Sequence, residues 1–196
     1  MNLNYTKLKL KLSTTEVNTF NEFIKDSETL GMFYNAKGTV IKDDLSNSKF
    51  NHVDNTTEII VPYKLLETDT LIQITDLFPR EYVTIKILKF PPKFQLCWHK
   101  DISRAIGFNI VLDKTNTVTI FSEQFFSADC LGKNTYISQL DYIPGTVYLF
   151  NSSRYHSVIN LDEKPRYIML VMISKNYQIN YESAYLKLQH LDLLDE

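Results

Sequence analysis

From Glu81 to Ile173 the sequence is cut into short β-rich runs with no helical stretch between them: "YVTIKILKF", "AIGFNIVLD", "TVTIFS", "NTYISQLDY", "GTVYLFN", "HSVIN" and "RYIMLVMI". Turn signals such as "KFPPK", "DKTN", "LGKN" and "IPG" separate them. Parallel neighbours need long, usually helical, crossovers, so this texture argues against a parallel sheet and predicts an antiparallel sandwich or barrel. Twelve Tyr and twelve Phe add to the lean toward strands.

The flanks read differently. In "YTKLKLKL" Lys and Leu alternate strictly, which predicts a strand over residues 5–12 with one apolar and one charged face, suited to an edge or outer position. In "STTEVNTFNEFIKDSETLG" Ser13 and Glu16 fit a capping box, Val17, Phe20, Phe23 and Ile24 recur at helical spacing, and Gly31 ends the helix. Residues 42–57 are polar, without period, and read as a surface loop carrying His52. A second helix is predicted over 64–78, with Leu65, Leu66, Leu71, Ile72 and Ile74 on or near its buried side, and a last one over 181–194. With 196 residues, no repeat and no linker, we expect one domain over 1–196. It divides into an N-terminal strand and supporting helices (1–80), a β core (81–175) and a C-terminal helix (176–196).

Charge and cysteine usage bound the function. Lys and Arg total 21 against 23 acidic residues, a balance that predicts no nucleic-acid-binding surface. Cys97 and Cys130 form no CxxC pair and read as two reduced, buried thiols. The opening "MNLNYTKLKLKLSTTE" has no apolar core of a secretory signal, and no run reaches the ~20 apolar residues of a membrane span, so we expect a cytoplasmic protein.

The chemistry gathers around "WHKDISRAIGFNIVLD", residues 98–113. On an extended strand His99 and Asp101 share a face and can offer an imidazole nitrogen and a carboxylate oxygen to one ion. A third ligand has to come from elsewhere. His52 sits in the polar loop and His190 on the last helix, whereas His156 lies in a β segment, which favours it. Two His and one carboxylate on one face of a metal leave the remaining positions open, as in non-haem Fe(II) oxygenases. Arg166, ten residues past His156 and just after "LDEKP", opens the next strand. If the two strands form a hairpin in the right register, its guanidinium joins the His156 face and can bind a carboxylate of a metal-chelating cosubstrate. Trp98, one residue before His99, is expected to point away from the metal.

The segments "HKDISRAIGFNI" and "PGTVYLFNSSRYHSVINLDEKPR" together resemble the Fe(II)/2-oxoglutarate-dependent dioxygenases, most of all the aspartyl/asparaginyl β-hydroxylase-like group, over about residues 82–173. That resemblance implies a double-stranded β-helix (jelly-roll, cupin-like) core with flanking helices. It further implies Fe(II) held by His99, Asp101 and His156, 2-oxoglutarate anchored by Arg166, and O2 as the oxidant. The implied reaction is hydroxylation of an amino acid or a peptide residue, with succinate and CO2 as coproducts. Four further positions match the pattern. Arg104 meets a substrate carboxylate or the cosubstrate, or is a solvated loop arginine. Asn109 is aimed into the site or bonds neighbouring backbone. Tyr148, which alternation places with Phe150, and Asn151, which it places with Val147 and Leu149, stand as alternative cosubstrate contacts.

Two other readings compete. Nucleobase-oxidising relatives carry a longer His-to-Arg spacing and a second Arg downstream, and no Arg follows Arg166 here. A non-catalytic jelly-roll binding module would have no use for all four of His99, Asp101, His156 and Arg166. A small-molecule or peptide substrate is therefore expected, with pocket loops over about 31–57 and 121–136. Oligomeric state stays open, because the "KLKLKL" edge can be covered by a helix or by a second subunit.

Overall fold

The computed structural model describes residues 4–35, 56–101, 104–114, 116–123 and 136–195, and within them every side chain except those of Tyr63, Cys97 and Ala105. His52, Cys130 and most of both expected pocket loops lie outside the described residues, as do Ile102 and Ser103.

The described residues form eleven strands: β1 Tyr5–Lys11, β2 Tyr34–Asn35, β3 Thr57–Ile60, β4 Val83–Phe90, β5 Phe94–His99, β6 Arg104–Val111, β7 Thr117–Ser122, β8 Ile137–Asp141, β9 Thr146–Phe150, β10 Tyr155–Asn160 and β11 Arg166–Ser174. They form a seven-stranded sheet in the order β1-β9-β6-β11-β4-β3-β2 and a four-stranded sheet in the order β5-β10-β7-β8, and every pairing within them is antiparallel. Strands β4 to β11 distribute between the sheets so that β9-β6-β11-β4 faces β5-β10-β7-β8, which is a double-stranded β-helix, or jelly roll. β1 extends one end of the large sheet and β3 with β2 the other.

The large sheet is covered on both faces. In β11 alternate residues Tyr167, Met169, Val171 and Ile173 join a core with the helices α1 Thr14–Thr29, α2 Asp69–Thr75 and α3 Tyr181–His190. The intervening Ile168 and Leu170 pack between the sheets with Phe90, Phe94, Val111 and Val158. A strand buried on both faces is apolar throughout, which is why "RYIMLVMI" shows no alternation. Arg166 falls in phase with Ile168, so alternation directs it between the sheets.

α1 forms as its ends dictate. The Glu16 N–H donates to Ser13 Oγ at 3.2 Å while Glu16 Oε2 accepts from the Ser13 N–H at 2.6 Å, completing the capping box. At the other end Gly31 has φ +64°, its N–H donates to Glu28 O, and the Met32 N–H donates to Ser27 O, a Schellman stop. Leu8, Leu10 and Leu12 of the alternating N-terminal run are buried. The outer edge of β1 carries the chain's own C-terminal segment: the Lys9 N–H donates to Leu193 O, the Asp195 N–H donates to Lys7 O, and Leu8 bridges Leu194. That segment, with ion pairs Lys7–Asp195 and Lys9–Asp192, covers the edge left open by the sequence reading.

Four expectations change. The last helix, expected over 181–194, ends at His190, because Leu193 and Asp195 bond to β1 and Leu194 bridges Leu8 instead of continuing the helix. The helix over 64–78 is a 3-10 turn, Tyr63–Leu65, followed by the seven-residue α2. Thr68 takes extended backbone in the N-cap position between them, and Ile72 points outward at 37% exposure. The short pair β2–β3, absent from the strand list read from sequence, adds to the edge of β4. And β10 and β11 do not form a hairpin: β10 pairs with β5 and β7, β11 with β4 and β6. The "LDEKP" connection crosses between sheets. Asn160 Nδ2 donates to the Pro91 and Lys164 carbonyls and Asn160 Oδ1 accepts from the Asp162 N–H, fixing that corner with side-chain bonds in place of a hairpin ladder.

Candidate metal centre

His99 and His156 are direct cross-strand partners of β5 and β10. Between them and the next pair, Leu96 with Val158, β5 carries one extra residue, a β-bulge. Without it His99 would alternate away from Phe94 and Leu96. With it, the imidazole is turned inward, its ring 4.2 Å from that of His156. The two histidines are 5% and 2% exposed.

Asp101 lies just past β5, its N–H donating to Ser152 O at 3.0 Å. Its carboxylate reaches both imidazoles: Oδ1 is 3.9 Å from His99 Nε2 and Oδ2 is 3.7 Å from His156 Nε2. One ligand atom from each of the three residues lies within 4.8 Å of the others, the spacing of donors around a single ion. His156 Nδ1 is 2.9 Å from Arg154 O; a ring nitrogen facing a carbonyl carries the proton, which leaves Nε2 as the lone-pair donor.

Electrostatics set the same donor state. Burial, with His99 adding to it, holds the His156 imidazole down at about 3 despite the opposing pull of Asp101. Burial raises Asp101, but Arg104 and the two imidazoles outweigh it and hold the carboxyl at about 2. Neutral His156 beside ionised Asp101 is the protonation state that a divalent metal requires. The donor set, two nitrogens and one carboxylate oxygen, suits a first-row transition metal, iron included.

A second polar group lies between the sheets. Arg166 is fully buried, and Nε, Nη1 and Nη2 have no hydrogen-bond partner among the described residues. Its Cζ sits 4.7 Å from the centre of the Tyr142 ring and 5.7 Å from that of Phe90. Tyr142 OH accepts from Asn109 Nδ2 at 3.3 Å and lies 3.2 Å from Thr119 Oγ1, while Asn109 Oδ1 is left without a partner. Tyr148 OH accepts from the Ile143 N–H at 3.1 Å, and its ring stands edge-on to Tyr142 at 5.3 Å. Aromatic contacts run from this group toward the histidines: Tyr148 to Tyr5, Tyr5 to Phe121, and Phe121 to His156. A buried guanidinium without an acceptor is costly, and an anionic ligand would satisfy it.

The sequence-predicted residues thus fall into groups. His99, Asp101 and His156 converge, and Arg104, 7% exposed, joins them through Asp101 and is no solvated loop arginine. Asn109 and Tyr148 join the Arg166 group. Asn151 instead shapes the turn after β9, its Oδ1 accepting from the Ser153 N–H and Oγ. Trp98 is half-buried beside the bulge. Tyr142 and Thr119 were missed. Their signal was an inverted alternation in β7, where Thr117 and Thr119, in phase with Phe121, are buried while Val118 and Ile120 are half-exposed.

Solved structures share this fold. A prolyl hydroxylase from Trichoplax adhaerens, in complex with a hypoxia inducible factor peptide fragment, matches with TM-score 0.61 and 15% identity, over 94% of this chain and 87% of that one. A Pseudomonas putida prolyl-4-hydroxylase matches with TM-score 0.58 and 10% identity, over 88% and 93%. EvdO2 from Micromonospora carbonacea, complexed with 2-oxoglutarate, matches with TM-score 0.54 and 14% identity, over 87% and 86%. No protein-family model and no curated protein matches the sequence. Among the described residues no helix is long and apolar enough to cross a membrane.

Proposed function

We propose that the chain is an Fe(II)- and 2-oxoglutarate-dependent oxygenase that hydroxylates an amino acid or a residue within a peptide, releasing succinate and CO2. The observation that carries this reading is Arg166: a buried guanidinium with no acceptor among the described residues, on the inner face of the seven-stranded sheet opposite the four-stranded sheet that carries His99 and His156 of a His-Asp-His triad. A binding module with a structural metal gives no reason to keep such a charge. The peptide-bound prolyl hydroxylase of the same fold supports the substrate class, and "HKDISRAIGFNI" resembles the motif of the aspartyl/asparaginyl β-hydroxylase-like group. We place the reaction in the cytosol, within a single domain.

In this reading His99, Asp101 and His156 hold the iron, which when bound supplies O2 activation coupled to oxidative decarboxylation of the cosubstrate. The chain's own part is positioning. Arg166 takes the distal carboxylate of 2-oxoglutarate by two parallel N–H bonds, and Tyr142 OH, held by Asn109 and Thr119, lies beside it as a further donor. Phe121, Phe150 and Tyr148 keep water from the space between the sheets. Incubating the protein with Fe(II), ascorbate, O2 and 2-oxoglutarate and measuring succinate tests this directly. Slow succinate formation without any prime substrate is expected, and its absence from folded, iron-loaded protein would remove the oxygenase reading.

A further inference from the structure

Arg104 does something the triad reading alone leaves unexplained. Its Nε and Nη2 donate to the same oxygen of Asp101, Oδ2, at 2.8 and 2.5 Å. The grip is built into the backbone: Ser152, fully buried, accepts the Asp101 N–H on its carbonyl and donates its Oγ to Arg104 O at 3.2 Å. The guanidinium lies over the Phe150 ring, 5.4 Å from its centre, and Nη1 is buried without a hydrogen-bond partner among the described residues.

Gly107 makes the space. A Cβ built there would stand 2.8 Å from Arg104 Nη1 and 3.3 Å from Cζ. Gly107 does not have the positive φ that would by itself call for glycine. What alanine would meet is the movable end of Arg104, so it would displace the guanidinium rather than the sheet.

We propose that Arg104 is a positioning residue that binds Oδ2 of Asp101 and so leaves a metal only Oδ1, and that Gly107 provides the slot for its guanidinium. The proposal rests on the metal-site reading above. A carboxylate free to turn can give both oxygens to one ion and close a position that a chelating cosubstrate needs. A carboxylate held by one oxygen cannot. Arg104 also places a cation beside a dication, so its removal does not by itself weaken metal binding.

The test separates metal from cosubstrate. Mn(II) affinity is measured by the paramagnetic resonance signal of free Mn(II), and 2-oxoglutarate affinity by its visible absorption with Fe(II) under anaerobic conditions. Arg104→Met should bind Mn(II) at least as tightly as the wild type while needing roughly tenfold or more 2-oxoglutarate, the scale typical of groups that orient metal ligands. Arg104→Lys, with its charge but a single-point donor, should fall between the two. Gly107→Ala should copy the cosubstrate defect of Arg104→Met. Weakening of both affinities in Arg104→Met, or of neither, overturns the proposal, as does a Gly107→Ala protein that folds and behaves as wild type. If the wild type itself binds no Mn(II), the metal-site reading fails and this inference with it.

Discussion

The guanidinium of Arg166 lies 4.7 Å from the Tyr142 ring centre, fully buried, with no acceptor among the described residues on any of its three nitrogens. A cation kept in this state destabilises the empty protein and is released from that cost by an anion. Arg166→Met should therefore raise the stability of metal- and cosubstrate-free protein by about 1–3 kcal/mol. The same variant should lose the rise in melting temperature that 2-oxoglutarate gives the wild type. Urea denaturation and thermal melts with and without 2-oxoglutarate check both halves. A less stable variant would mean that the charge is compensated inside the fold.

The buried imidazole of His156 makes the metal-free protein sensitive to acid. Its folded value of about 3 lies below the ordinary 6.5, so between these limits the unfolded chain binds a proton that the native one does not. Stability should fall as pH drops from about 6.5 toward 3, by at most about 1.4 kcal/mol per pH unit from this group. Asp101, lowered to about 2, adds a loss as pH falls below its ordinary value of 3.8. Denaturation midpoints at pH 7, 6 and 5 measure the slope, and His156→Gln should flatten it.

Two glycines should respond to alanine in different ways. Gly31 has φ +64° and nothing within 4 Å of an added Cβ, so Gly31→Ala should cost about 1–2 kcal/mol through backbone conformation alone, without touching the site. Ser13→Ala, at the other end of α1, should cost about 1 kcal/mol by removing the cap. 2-Oxoglutarate affinity should be unchanged in both, in contrast to the cosubstrate defect expected of Gly107→Ala.

Removing residues 191–196 would strip Leu194 from the core and expose the edge of β1. Self-association of the truncated protein is expected, with the full chain as the control, because an open edge strand offers unpaired N–H and C=O groups to another copy. Sedimentation velocity of the two chains side by side reads the difference.

Local features of the fold were legible where one physical rule decides them. Alternation gave β1, apolar runs gave β11, and the Ser13–Glu16 box with Gly31 gave both ends of α1. The H-x-D pair and His156 were visible as residue types whose chemistry needs one another, and they converge. What sequence could not supply was non-local. Placing Arg166 by a hairpin with β10 was wrong because nothing in "LDEKP" says that the chain changes sheets. Alternation along β11 itself still directs it inward. The bulge that turns His99 inward is a register event between strands 57 residues apart, invisible in either one. Tyr142 sits one residue beyond the end of β8, in phase with buried Leu140, and its hydrogen bonds to Asn109 and Thr119 show its place only once the sheets are assembled.

The central claim is that one buried site holds a metal through His99, Asp101 and His156 and a keto acid through Arg166. The direct measurement is anaerobic titration of Fe(II)-loaded protein with 2-oxoglutarate, following the weak visible charge-transfer band of a chelated keto acid. We expect the band in the wild type, none in His156→Ala, and a band needing at least tenfold more 2-oxoglutarate in Arg166→Ala, about 1.4 kcal/mol per tenfold. A folded wild-type protein that gives no band at any concentration would contradict the account.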